Sequence, residues 1–470
     1  MGIFDFDRAV DSTFSTAFGL TAKIIGITAS GTFAVIRNAA TSLQEGRRIR
    51  RTELASKNNR RVWVSSSVDK SILCLNDDPY FDDTETISDE NDEPALSYLS
   101  GENELPESVI ISGGIYEDRC KALIPFIFKS QKNNMPLVVI YNSDSELEAM
   151  IAGYCKVYEI ISCDKAYCDI FAGLVSGDIV RLICDTIDKD KPKDNMESLL
   201  LALVNVVFTL RPDACVDDMA SFPLDKLRDE IKRLNTLGVI TNGECANWLA
   251  DYDAGSSAKV PVRTFLNNLN TDFKCLFGHM RTKRSNIKRV LNNRGVVMID
   301  IGKGNSELAV KLLVNYFLLL DKNGLKFHVI LDDLPIAEFP EFGELIRGRT
   351  YAINHRDFIA SLSLFHSKNN NENNSDELFM SLMCDVAAVS LFYHNNMASC
   401  RKWSEYFGTY RKIKIQKEHT RSGGLFEYNR TDALAEHEQD LPRIRDLSIS
   451  RLPSGVACVY RSEGIFIGSI

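Results

Sequence analysis

The stretch from Leu325 to Ile336 limits the fold more than any other part of the chain. Phe327, Val329, Ile330 and Leu331 run straight into two adjacent carboxylates, Asp332 and Asp333, and Pro335 ends the segment. An apolar run closed by a breaker predicts a central strand covered on both faces, which demands a layered α/β fold. Two carboxylates at its end are costly unless a metal, an Arg or a ligand phosphate meets them there. The plain alternative is a strand end whose acids sit in water.

At 470 residues the chain has room for two or three domains, and its 44% hydrophobic and 25% charged content is that of a soluble globular protein. A net charge of -9 argues against a protein wrapped mainly around nucleic acid, although local basic patches survive inside an acidic total. The twelve cysteines form no CxxC pair and the seven histidines no ligand motif. With no signal peptide, they read as free thiols in a reducing cytoplasm. Residues 1–60 form a weakly apolar segment broken by Lys23 and Arg37, with no transmembrane span. An amphipathic helix there, docked on its own domain or lying on a membrane, is the expectation. The cluster Arg47, Arg48, Arg50, Arg51, Lys57, Arg60 and Arg61 gives residues 1–61 a face for anionic lipid or nucleic acid, or simply for solvent.

Residues 61–194 read as the first part of an α/β domain. Within it, residues 77–107 carry twelve carboxylates and no Lys or Arg, the composition of a flexible acidic insertion. A strand at Val109–Ile111 then enters the turn Gly113-Gly114, and a helix is expected from near Arg119. A working P-loop reads G-x-x-x-x-G-K-[ST], with backbone N–H groups around phosphate, Lys on its oxygens and a hydroxyl on Mg²⁺. Counted from Gly113, Asp118 takes the second Gly position, Arg119 that of Lys and Cys120 that of Ser/Thr. Glu117 and Asp118 would put negative charge where phosphate should lie, so ordinary ATP binding is not expected.

Residues 195–290 show helical periodicity and read as an all-α insertion, ending in the basic run Arg281, Lys283, Arg284, Lys288, Arg289 and Arg294. Residues 291–470 return to the α/β domain. Gly302-Lys-Gly-Asn-Ser lacks P-loop spacing and reads as a strand–helix turn. Further strands are expected at Phe358–Leu364 and Val386–Tyr393, a helix at Ala398–Phe407, and a hairpin from Ser454. Alternating strands and helices predict a doubly wound, mostly parallel sheet.

The order of these pieces resembles the coupling-protein NTPases of bacterial conjugation and type IV secretion, over roughly residues 105–470. The carriers are Asp332-Asp-Leu-Pro at the Walker B position, Gly348-Arg-Thr after it, Asn396-Met-Ala-Ser-Cys-Arg-Lys-Trp-Ser-Glu-Tyr-Phe-Gly-Thr, and Leu452-Pro-Ser-Gly-Val-Ala-Cys-Val. The resemblance implies a RecA-like P-loop core, with a polar strand-end residue near Ser361 or Ser363 and Arg349 able to face a neighbouring subunit in a ring. In that family the first acid, here Asp332, holds Mg²⁺, and the second, here Asp333, polarises water. The Walker A residues are degenerate at Gly113, Gly114, Arg119 and Cys120. The expectation is therefore a catalytically degenerate, cytoplasmic scaffold or recruiter in a DNA-transfer or protein-secretion assembly, membrane-associated at most peripherally, with no cofactor and with protein partners or copies of itself. A second reading is an active translocation motor using ATP and Mg²⁺ through Asp332, Asp333 and Arg349. A third is a DNA-binding protein using Arg281, Lys283, Arg284, Lys288 and Arg289, or the run Arg401–Lys417.

Overall fold

The computed structural model describes residues 46–47, 50–51, 54–55, 60–69, 85–87, 94–142, 145–162, 165–187, 194–272, 283–302, 307–336, 339, 341–362, 374–422 and 429–470. The N-terminal amphipathic stretch, most of the acidic run before residue 94, Arg281, the turn after Gly302 and Ser363 lie outside these residues. So does the Asn-rich stretch at 368–373.

The chain divides into two compact units. One gathers the described residues between 46 and 61 and between 409 and 441. In it β12 (Thr409–Ser422) and β13 (Asn429–Pro442) form a two-stranded sheet. Arg411 pairs with Glu438 at 3.2 Å and Arg60 lies 5.5 Å over the Tyr410 ring.

The other unit is built on one eleven-stranded sheet of order β2-β1-β15-β14-β11-β3-β10-β9-β4-β8-β5. Its strands are β1 (Val62–Ser65), β2 (Glu85–Ile87), β3 (Val109–Ser112), β4 (Leu137–Tyr141), β5 (Tyr158–Ile161), β8 (Val296–Asp300), β9 (His328–Asp332), β10 (Tyr351–His355), β11 (Ala388–Leu391), β14 (Val456–Arg461) and β15 (Gly464–Ser469). Every pairing is parallel except those of β14, which runs antiparallel to β11 and β15. A small pair, β6 (Ala166–Tyr167) and β7 (Lys283–Arg284), stands apart. The run β11-β3-β10-β9-β4 sets β10 between the Gly-Gly strand and the acidic strand, the order of a RecA-like core.

Residue alternation explains the layering. Val329 and Leu331 of β9, with Val138 and Ile140 of β4, pack into one apolar cluster; Ile330, Val139 and Tyr141 pack into a second on the opposite face. Helices 116–132 and 145–154 cover the second face, and helices 176–186 and 307–322 cover the first. The sheet is thus covered on both sides, as the unbroken apolar run in β9 demands.

The insertion is helical as expected: Asp194–Leu210, Val216–Ser221, Leu227–Thr236, Asn242–Gly255 and Lys259–Asp272. A capping box starts one of these helices, Thr241 Oγ1 accepting from Glu244 N–H at 3.2 Å while Glu244 accepts from Thr241 N–H at 2.7 Å. Leu199, Leu203, Ile231 and Leu266 join the same apolar cluster as Leu313 and Phe317, so the insertion is continuous with the core.

Two expectations are corrected. The end of the acidic run is folded: helix Pro94–Ser100 buries Ala95, Leu96 and Leu99. Arg461 pairs there with Glu107 and donates to Leu99 O at 2.9 Å, while Lys129 donates to Ser100 O at 2.5 Å. Apolar spacing plus two cations offset a carboxylate density that composition alone reads as flexible. The strand expected at 358–364 lies earlier, at Tyr351–His355, and residues 358–362 are helical. Asp357 is the reason, its side chain accepting from Ala360 N–H at 3.0 Å and starting a helix at that point. Among the described residues no helix is long and apolar enough to cross a membrane.

Candidate functional site

The candidate site lies at the carboxyl ends of β3, β10 and β9, where parallel α/β sheets place ligands. Strand register aligns Ser112 with His355, and Asn354 with Asp332.

Only Gly113, Gly114 and Ile115 separate the end of β3 from the helix Tyr116–Lys132. Both glycines adopt left-handed backbone, φ +92° and +66°, and a Cβ on either would come within 2.5 Å of the His394 ring or 2.6 Å of Phe392 Cβ. Their N–H groups are already committed: Gly113 donates to His355 O at 3.3 Å and Gly114 to Tyr393 O at 2.8 Å. Their carbonyls turn inward instead. A phosphate cradle needs the reverse, with N–H groups converging on the anion.

The eight-position count from Gly113 therefore fails, because the helix starts at Tyr116 and no second glycine position exists. Glu117 is exposed and faces Lys121 at 3.5 Å. Asp118 is buried and points away from the turn, accepting from Gly455 N–H at 2.9 Å and Ser454 Oγ at 3.3 Å. Cys120 is buried on the same helix.

Arg119 fills the space between the strand ends. The residue is 2% exposed, and its guanidinium donates through NH1 to Gly114 O at 3.2 Å and Gly113 O at 3.4 Å, through Nε to Asn354 Oδ1 at 3.0 Å, and through NH2 to Asp333 Oδ2 at 2.7 Å. It lies 5.3 Å over the Tyr116 ring. Four oxygens on three strand ends thus surround one planar cation, a match for its rigid fork of donors.

Asp332 is almost wholly buried. It accepts from Tyr116 Oη at 2.6 Å and from Asn354 Nδ2 at 2.5 Å. Burial pushes its carboxyl up to about 7, the Asp333 charge adds to the rise, and the two hydrogen bonds only partly offset them. Asp333 takes φ +47°, uncommon for a residue with a side chain. Its N–H donates to Asn354 O at 2.8 Å, and its other carboxylate oxygen accepts from Arg356 N–H at 2.7 Å. Burial lowers both His355 and His394, favouring neutral rings. His394 Nδ1 donates to Phe392 O at 2.8 Å, which leaves Nε2 to accept from Ser112 Oγ at 2.9 Å.

Other expected site residues do not converge here. Arg349 is held inside its own chain near the opposite end of β9, bonded to Asp321 Oδ2 at 2.6 Å and Leu345 O at 2.5 Å, and 5.4 Å over the Phe327 ring. With a side chain 10% exposed it does not project toward a neighbour. Ser361 bonds back to Phe358 O at 2.7 Å within its helix; the polar strand end is Asn354. Of the basic run, Arg284 pairs with buried Asp169, Lys283 with Glu159 at 3.8 Å, and Lys288 donates to Gly173 O at 3.1 Å; Lys283 and Arg289 are exposed. Tyr116 and Asn354 escaped the sequence reading. The apolar run Tyr351-Ala-Ile ending in Asn354, six residues past Gly348, carried a signal for the latter.

No protein-family model and no curated protein matches this chain. Among solved structures, the bacterial conjugative coupling protein TrwB in its unbound form is similar at 11% identity, covering 80% of this chain and 90% of that one, with a TM-score of 0.48. TrwB in complex with ADP and Mg²⁺ gives 10% identity, 80% and 91% coverage and 0.43. VirB4 of Thermoanaerobacter pseudethanolicus gives 10% identity, 77% and 88% coverage and 0.38.

Proposed function

We propose that this chain is a catalytically silent, coupling-protein-like core that acts as a scaffold or recruiter in a DNA-transfer or protein-secretion assembly. The observation that carries the reading is the Gly113-Gly114 turn, whose N–H groups are spent on His355 O and Tyr393 O while its carbonyls face the site. A magnesium nucleotide does not fit such residues. Its phosphates would meet carbonyl oxygens, and a metal at Asp332 would have to displace the hydrogen bonds that Tyr116 and Asn354 donate to that buried carboxyl. The coupling-protein character rests on the ordered sequence motifs, and Ser454-Gly455 of the closing one gains a structural task in receiving Asp118.

The test is equilibrium binding of a non-hydrolysable ATP analogue and steady-state hydrolysis with Mg²⁺. No saturable binding and no turnover above background are expected. Metal-dependent turnover abolished by Asp332→Ala would overturn the reading. The exposed Lys283 and Arg289 favour nucleic-acid contact as the second reading, which predicts an affinity falling steeply with salt.

A further inference from the structure

We propose that Arg119 is a permanent internal ligand: its guanidinium occupies the site that opens between β3, β10 and β9 and locks their carboxyl ends in one arrangement without any external ion or nucleotide. The inference rests on the functional reading above and adds what replaces the ligand.

The donor set is the reason. Gly113 O, Gly114 O, Asn354 Oδ1 and Asp333 Oδ2 all accept from this one side chain, and all belong to strand ends or the turns just beyond them. Oxygen donors alone, two of them backbone carbonyls and one a carboxylate, make an environment for a cation and repel an anion. An Arg side chain supplies that cation with directed donors and cannot be deprotonated. The contacts also form a closed circuit. Asn354 accepts from Arg119 and donates to Asp332, Asp332 accepts from Tyr116, and Tyr116 is on the same helix as Arg119, beneath its guanidinium. Every carboxyl end in the circuit is thereby referred to one helical turn. Asp333, in its left-handed backbone, is held at the end of β9 by the cation on one oxygen and Arg356 N–H on the other. A ligand bound in trans can leave, but a ligand that is a side chain cannot.

The experiment compares thermal unfolding of the full natural chain with that of Arg119→Ala, each with methylguanidinium chloride, with equal sodium chloride, and with ATP and Mg²⁺. The natural chain should be indifferent to all three. Arg119→Ala should melt about 5 °C lower, the scale set by removing one member of a buried pair in a chain of this size. Millimolar methylguanidinium should recover much of the loss saturably, with sodium chloride inert. An Arg119→Ala variant as stable as the natural chain, or one that methylguanidinium does not rescue, would overturn the inference while leaving the functional reading intact. Stabilisation of the natural chain by ATP and Mg²⁺ would overturn the functional reading, and this one with it. If Arg119→Ala does not fold, Arg119→Lys decides. It keeps the charge and loses the fork, so melting well below the natural chain supports an oriented guanidinium, and unchanged melting refutes it.

Discussion

An Arg–Asp pair lies near each end of β9, and the two pairs behave in opposite ways. Near the start, Asp321 receives both Arg349 at 2.6 Å and Lys326 at 2.8 Å. Near the finish, Asp332 and Asp333 share the neighbourhood of Arg119, which bonds only Asp333. Burial pushes Asp321 up, but the two cations outweigh it and hold its carboxyl below the usual range. Asp332 is more deeply buried, and that burial raises its carboxyl to about 7 although Arg119 and two hydrogen bonds pull the other way. Burial, far deeper at Asp332, comes first in deciding which end titrates near neutrality, and the two cations at Asp321 add to the difference. Reach differs as well. Arg349 bonds partners 28 and 4 positions away, whereas Arg119 joins groups 235 and 214 positions distant and so ties the core together.

The strongest way to break this comparison is to truncate both arginines. Arg119→Ala leaves Asn354 Oδ1 and two carbonyls without their donor and Asp333 with only Arg356 N–H, and a loss of about 3 kcal/mol is expected by urea unfolding. Arg349→Ala removes a pair whose acid Lys326 still partly satisfies, so about 1–2 kcal/mol should be lost there. Equal losses at the two positions would dissolve the distinction. Sedimentation should also show no change in self-association for Arg349→Ala, because its partners lie within its own chain.

The second prediction concerns pH. An unfolded Asp releases its proton near pH 4, whereas folded Asp332 keeps it to about 7. The folded state therefore binds the extra proton between those values. Its contribution to stability is fully present below pH 4, falls as pH climbs to 7, and is flat above. Three units correspond to about 4 kcal/mol as an upper figure. Asp332→Asn carries the neutral form at every pH but accepts only one of the two donated hydrogen bonds. It should be more stable than the natural chain at pH 8, by about 2 kcal/mol, and no better at pH 4. A variant less stable than the natural chain at pH 8 would show that the carboxylate is the favoured form.

The smallest effect is expected at Glu117. It is exposed and, among the described residues, paired with Lys121, so Glu117→Ala should change stability by less than about 0.5 kcal/mol and confer no ATP binding. Gain of nucleotide binding would count against the proposed part played by the committed backbone of the turn.

The sequence by itself determined the layers. An unbroken apolar run in β9, matched in β4, demands cover on both faces, and helical periodicity at 195–290 yields helices wherever it is packed, because burial patterns are local and repeat with the period of the element. It also marked Asp332, Asp333, Arg119 and the Gly113-Gly114 turn as one chemistry. Three matters were settled only by the tertiary structure. The register of the turn depended on where the helix begins, and Tyr116 starts it with Asp118 anchored to Gly455 on a distant hairpin. The roles of the two arginines depended on which acids the fold brings near them, Asp333 for one and Asp321 for the other. The polarity of the cradle depended on His355 and Tyr393, whose carbonyls consume the N–H groups a phosphate would need. Hydrogen-bond direction and charge count at a strand end are properties of neighbours far apart in the chain, and no spacing within one segment encodes them.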